Sequence, residues 1–253
     1  MTPTDSSRSS ATPIIAAGMH QKIIRITGLT NREFLERHAQ PGRIGLSGGG
    51  APIDKLIRRA ERHVNESKEW SRWSHAFLFG EQRSDEHHWI IESDLHLARK
   101  HVRLGVQENR LAKYFDEAAY SSLAVLDFGL SARDVRAVLR EGLELLANRT
   151  RYSLRELFGT LIALRRPELR GRDNLLAREH SFYCSALVQY CFRRAGIDLV
   201  PGLDVKNTTP EDLARTSAPH VMYLLERPDE PSRLRKLARR VKRRVQAQLR
   251  KPQ

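Results

Sequence analysis

Two short apolar runs, Trp73 to Phe79 (WSHAFLF) and His88 to Glu92 (HWIIE), flank a polar, acidic stretch from Gln82 to Glu86. Runs of that length joined by that kind of turn specify a β-hairpin. Lys22 to Thr27 (KIIRIT), Val102 to Val106 and Leu123 to Phe128 (LAVLDF) read as further strands, and His220 to Leu225 as a last one. Helices surround this middle section. Asn31 to Ala39 reads as a short helix capped by Asn31, and Ile53 to Glu66 carries Ile53, Leu56, Ile57, Ala60 and Val64 at helical spacing. Ser131 caps a run with Val135, Val138, Leu139, Leu143 and Leu146 on one stripe, and Ser153 to Leu164 forms another helix. Phe182 to Ala195 is a third, ended by Gly196, and Thr209-Pro210-Glu211-Asp212 opens a short one. The expected fold is α+β, with a central antiparallel sheet packed against helices.

At 253 residues, 40% of them hydrophobic and 29% charged, the chain has the composition of an ordinary folded domain with tails. No stretch approaches the roughly 20 apolar residues that span a bilayer. The start, Met1 to Thr12, is rich in Ser, Thr and Pro, and the apolar run Pro13 to Met19 lacks the basic lead and the length of a secretory signal. The two cysteines, Cys184 and Cys191, stand seven residues apart on one expected helix. Their Cα atoms are then about 10 Å apart, beyond disulfide reach. Free thiols without a signal point to a reducing compartment, with cytoplasm as the default.

The net charge of +14 suggests a nucleic-acid binder until its location is considered. From Pro231 onward there are ten Lys and Arg and no acid, which leaves +4 for the rest. The charge therefore belongs to a tail, and the balanced body speaks against nucleic acid as the partner. Leu234, Leu237, Val241, Val245 and Leu249 recur at spacings of three and four among Arg235, Lys236, Arg239, Arg240, Lys242 and Arg243. That is a basic amphipathic helix, suited either to an anionic membrane surface or to packing its stripe on the body.

Cysteine chemistry requires a thiolate, which a helix N-terminus and a nearby imidazolium both favour. Cys184 stands where an apolar helix begins, in HSFYCSALV, beside N–H groups that can also form part of an oxyanion hole. His75 interrupts an apolar strand, where a polar side chain needs a partner or a function. Glu92 occupies an equally apolar setting in WIIES. Paired around the turn, His75 and Glu92 can share a face and hydrogen-bond, which fixes the imidazole for a triad. Cys191 reads as core. Two other signals are weaker: Gly48-Gly49-Gly50 opens a helix but lacks the Lys-Ser/Thr of a phosphate loop. His87 and His88, with His96 and His101 nearby, invite a metal reading, but neighbours on a strand point to opposite faces and a solvated turn accounts for them.

WSHAFLF, WIIES, FYCSALVQYCFRRAGIDL and NTTPEDLART together resemble the circularly permuted branch of the NlpC-type papain-like hydrolases. That group includes YiiX-like proteins and is related to lecithin:retinol acyltransferase; its order is histidine, acid, cysteine, as here. The resemblance runs from about Gly42 to Ser217. It implies a papain-like fold with His75 as base, Glu92 as third member, Cys184 as nucleophile, Tyr183 and Ser74 near substrate, and no cofactor. Arg43 after Gly42, and Ala186 where relatives carry an acid, depart from the pattern without touching the triad. The expected organisation is a disordered segment 1–20, a catalytic domain 21–228 with a helical insert 131–179, and the tail helix 229–253. The implied activity is that of a cysteine hydrolase acting on an amide, whether of a peptide, a cell-wall peptide or an acyl-amide. A lipid acyl hydrolase or acyltransferase of the phospholipase A kind is the alternative, and a non-catalytic binding module with a basic tail the third reading.

Overall fold

The computed structural model describes residues 21–64, 67–94, 105–148, 164, 170 and 183–227 of the chain. The N-terminal segment, the basic tail, His96, His101 and most of the expected helix Ser153 to Leu164 lie outside the described residues.

Seven strands form one sheet in the order β1-β7-β6-β2-β3-β4-β5. They are β1 Lys22–Ile26, β2 Ile44–Gly49, β3 His75–Gln82, β4 His88–Asp94, β5 Gly105–Arg110, β6 Tyr120–Asp127 and β7 Val221–Leu225. The β3–β4 hairpin forms as its sequence dictates, pairing Leu78 with Ile91 and Phe79 with Ile90. The sheet is mixed rather than antiparallel, because β1 runs parallel to β7, with Lys22 opposite Val221 and Ile26 opposite Leu225. The two strands come from opposite ends of the described chain, so no local turn sets their relative direction.

Gly48 and Gly49, read in the sequence as the approach to a helix, belong to β2. Ile44–Gly49 is a fully buried central strand between β3 and β6. Its glycines answer close approach. A Cβ on Gly48 would lie 1.9 Å from the carbonyl oxygen of Arg72, and one on Gly45 would lie 2.1 Å from the Phe77 ring. The run lacks side-chain bulk because neighbouring backbone and ring occupy that space.

Among the described residues five α-helices accompany the sheet: α1 Asn31–His38, α2 Pro52–Ala60, α3 Ala132–Ala147, α4 Cys184–Arg194 and α5 Pro210–Ala214. Thr30, not Asn31, caps α1: its side chain accepts from Glu33 N–H while Glu33 reaches back to the Thr30 N–H. Asn31 instead donates its amide to the carbonyls of Tyr114 and Tyr120. Ser131 caps α3, and Thr209 with Asp212 forms the expected box at α5. α4 starts two residues later than its apolar run, with Tyr183 as N-cap, and ends at Gly196, whose φ of 85° suits a residue without a Cβ.

The period-2 alternation of the strands sorts the core into two layers. Ile44, Leu46, Ala76, Leu78, Ile91, Ala124 and Leu126 face α3 and α4, meeting Val138, Leu187, Val188 and Phe192. Phe77, Phe79, Ile90, Leu123 and Val125 face the other way, covered by Phe34 and Leu35 of α1 and by Leu111 and Tyr114. Among the described residues no helix is long and apolar enough to cross a membrane.

Candidate active site

His75 is the first residue of β3, at the end of the sheet. In the register that pairs Leu78 with Ile91, Glu92 falls opposite Phe77, two residues along from His75 on the same face. That diagonal is within reach of long side chains. His75 Nε2 lies 2.8 Å from Glu92 Oε2. Nδ1 is the ring nitrogen not engaged by Glu92, and the protonated ring is hydrogen-bonded to the Cys184 sulfur. Burial alone would lower the His75 pKa, but the Cys184 charge and hydrogen bond, with Glu92 behind, override it and raise it to about 10. Both partners thus favour the protonated ring.

Glu92 is completely buried and accepts four hydrogen bonds. Oε2 takes His75 and the Tyr114 hydroxyl, at 2.6 Å; Oε1 takes Asn109 Nδ2 and Lys113 Nζ, both at 2.6 Å. Burial opposes its charge, yet Lys113 and His75 hold the carboxyl well below the usual range. Lys113 also reaches Asp94 Oδ2 at 2.5 Å. No local sequence signal marks this support. Asn109, Lys113 and Tyr114 sit in the polar stretch QENRLAKY, which reads as a solvated edge, and become partners of Glu92 only through the pairing of β5 with β4.

Cys184 opens α4, so its sulfur stands at the positive end of the helix, beside N–H groups with no intrahelical acceptor. Tyr183 contributes no side-chain cap to that turn. The start of α4 therefore supplies a sulfur and backbone donors, and the start of β3 brings the His75 ring against them. This arrangement can hold a thiolate and stabilise an oxyanion. Cys191 is different: it is buried against Gly142 of α3, and burial, reinforced by Glu141, pushes its thiol up.

Ser74 and Tyr183, the chain neighbours of His75 and Cys184, commit their hydroxyls to backbone groups. Ser74 is buried, its hydroxyl accepting from Gly49 N–H at 3.1 Å and donating to the Ser47 carbonyl. Tyr183 donates its hydroxyl to the carbonyls of Thr208, at 2.7 Å, and Lys206. Both side chains brace the elements that carry His75 and Cys184. Arg235, Lys236, Arg239, Arg240, Lys242 and Arg243 lie outside the described residues. His87 is exposed and bonded within its own turn, to Asp85. Among the described residues no group of three or more His, Cys, Asp and Glu is arranged to hold a metal.

On the other side of the nucleophile a second acid is buried. Glu61 is 1% exposed, and neither carboxyl oxygen finds a hydrogen-bond partner among the described residues. Ser71, close by, donates instead to Glu211 Oε2 at 2.7 Å. Burial, only partly opposed by Ser71, raises the Glu61 pKa well above its ordinary value, and the charges of Glu211, Asp212 and Cys184 add to it. A neutral carboxylic acid results.

No protein-family model matches the chain, and no curated protein does. Among solved structures it is similar to the crystal structure of the metalloprotein YiiX from Escherichia coli O157:H7, at 14% identity and a TM-score of 0.48, over 76% of this chain and 99% of that one.

Proposed function

We propose that this chain is a cysteine hydrolase of the papain-like class, in the circularly permuted NlpC arrangement, that cleaves an amide bond through an acyl-enzyme. The observation that carries the reading is the continuous line Cys184–His75–Glu92, ending in a buried carboxylate held ionised by four donors. The chain order supports the permuted reading, since base and acid on β3 and β4 precede the nucleophile on α4.

The Cys184 thiolate attacks the carbonyl carbon, forming the C–S bond while the oxygen takes negative charge against the first N–H groups of α4. The tetrahedral intermediate collapses with loss of the amine, which takes the proton from His75. Water then attacks the thioester; His75, now neutral, takes its proton, the C–S bond breaks, and the acid product leaves behind a thiolate and an imidazolium. The amide reading takes His75, bonded to Glu92, as the acid that protonates the leaving nitrogen, a step that amide cleavage needs more than ester cleavage does. Glu92 keeps the ring directed at Cys184 throughout.

The test is purified protein against Cys184→Ala on a panel of amides and on anionic phospholipid vesicles, following amine and fatty-acid release. Cys184-dependent amine release is expected. Cys184-dependent fatty-acid release alone would replace the amidase by a lipid acyl hydrolase, and silence on both would leave a binding module.

A further inference from the structure

In the proposed cycle His75 changes charge twice per turnover, while the carboxylate that orients it has to remain ionised in both states. Glu92 has no water to solvate it, and an unpaired buried carboxylate takes up a proton instead. Two of its four partners, the Asn109 amide and the Tyr114 hydroxyl, are neutral. Among the described residues the cations bonded to it are His75, which loses its charge in the cycle, and Lys113. Lys113 is on the short turn Leu111–Tyr114 after β5, partly buried, with its ammonium set between Glu92 and Asp94.

We infer that Lys113 is a positioning residue of the active site: its ammonium keeps Glu92 ionised while His75 is neutral, so that Glu92 goes on orienting the imidazole and does not take its proton. The inference rests on the cysteine-hydrolase reading. The groups facing Glu92 are consistent with it from every side. Tyr114 is raised well above its ordinary pKa, burial coming first among the causes, and Tyr120 of β6 is raised to about 12 for the same reason, so both are neutral through the working range. Asp94, on β4 itself, adds a negative charge, and the Lys113 ammonium bonds it as well as Glu92. Cys184 acts on Glu92 through His75. Without the lysine, the cation bonded to Glu92 among the described residues is His75, whose charge comes and goes.

The experiment follows alkylation of Cys184 by iodoacetamide, with peptides resolved by mass spectrometry, from about pH 4 to about 9, across the ordinary carboxyl and imidazole ranges. Wild type, Lys113→Met, Lys113→Gln and Lys113→Arg are compared, each with its thermal midpoint. As pH falls, Glu92 without its cation is protonated sooner, and His75 and the thiolate lose their support. The acid-side midpoint of alkylation then moves upward by about 1–3 pH units in Lys113→Met and Lys113→Gln, as expected for loss of an adjacent opposite charge. Lys113→Arg, which keeps the charge, stays near wild type. A residue that merely braced the fold would lower the thermal midpoint and leave the alkylation midpoint in place; that result in whichever neutral variant folds overturns the inference while leaving the hydrolase reading intact. A wild type in which Cys184 reacts no faster than Cys191 sinks both.

Discussion

His75 and Glu92 sit diagonally across the β3–β4 ladder, two residues out of register, and close a 2.8 Å hydrogen bond from the sheet's end to its interior. The histidine is the partly exposed member, its side chain 15% accessible, and the glutamate is wholly enclosed. One end of the pair meets the Cys184 sulfur; the other is anchored in a set of four donors.

Replacing Glu92 by Gln keeps the shape and removes the charge. Lys113, Asn109 and Tyr114 then point donors at an amide that can accept only at its oxygen. Breaking a buried ion pair from one side costs about 3–5 kcal/mol, so the denaturant midpoint falls markedly, and hydrolysis falls by about 10²-fold or more as the ring loses its orienting anion. A Glu92→Gln protein with unchanged stability would show that the carboxylate carries no charge in the fold.

Glu61 makes the opposite case. Its folded pKa stands well above the ordinary 4.5, so the folded protein holds a proton that the unfolded chain has shed. Stability therefore falls as pH rises from the ordinary carboxyl range toward the folded value, with a slope of up to about 1.4 kcal/mol per pH unit. Glu61→Gln resembles the protonated acid and abolishes that component. Urea midpoints measured from acid to mildly alkaline pH are expected to converge in acid and to favour the variant at higher pH; parallel curves would mean that Glu61 is ionised.

Gly48→Ala brings a methyl group against the Arg72 carbonyl, which is backbone and cannot swing aside. Either β2 shifts or the segment leading into His75 does, so the substitution costs about 1–3 kcal/mol and lowers activity together with thermal midpoint. Gly50→Ala, with open space around its Cβ, is the control. Equal midpoints for the two would refute the close approach.

The features legible in the sequence are those that local pattern encodes. The acidic turn between two apolar runs gives the hairpin, and with it the shared setting of His75 and Glu92; Ser131, Thr209 and Pro210 mark helix starts that the structure retains. Pairing between distant segments is not written locally. The parallel β1–β7 ladder joins residues about two hundred positions apart, and β5 delivers Lys113 and Asn109 to Glu92 from a stretch whose charges look solvated. Ile44–Gly49 misleads for a third reason: a strand squeezed between neighbours sheds its side chains and takes on the composition of a loop.

Activation of Cys184 by His75 is the central feature of the proposed site. Brief iodoacetamide treatment at neutral pH, with both cysteine peptides quantified, tests that in one experiment. Both thiols are buried, Cys184 to 5% and Cys191 to 1% exposure, so access alone separates them little. Cys184 is expected to react about 10²-fold faster or more, and to lose most of that advantage in His75→Ala. Equal rates, or an advantage that survives the loss of His75, would contradict it.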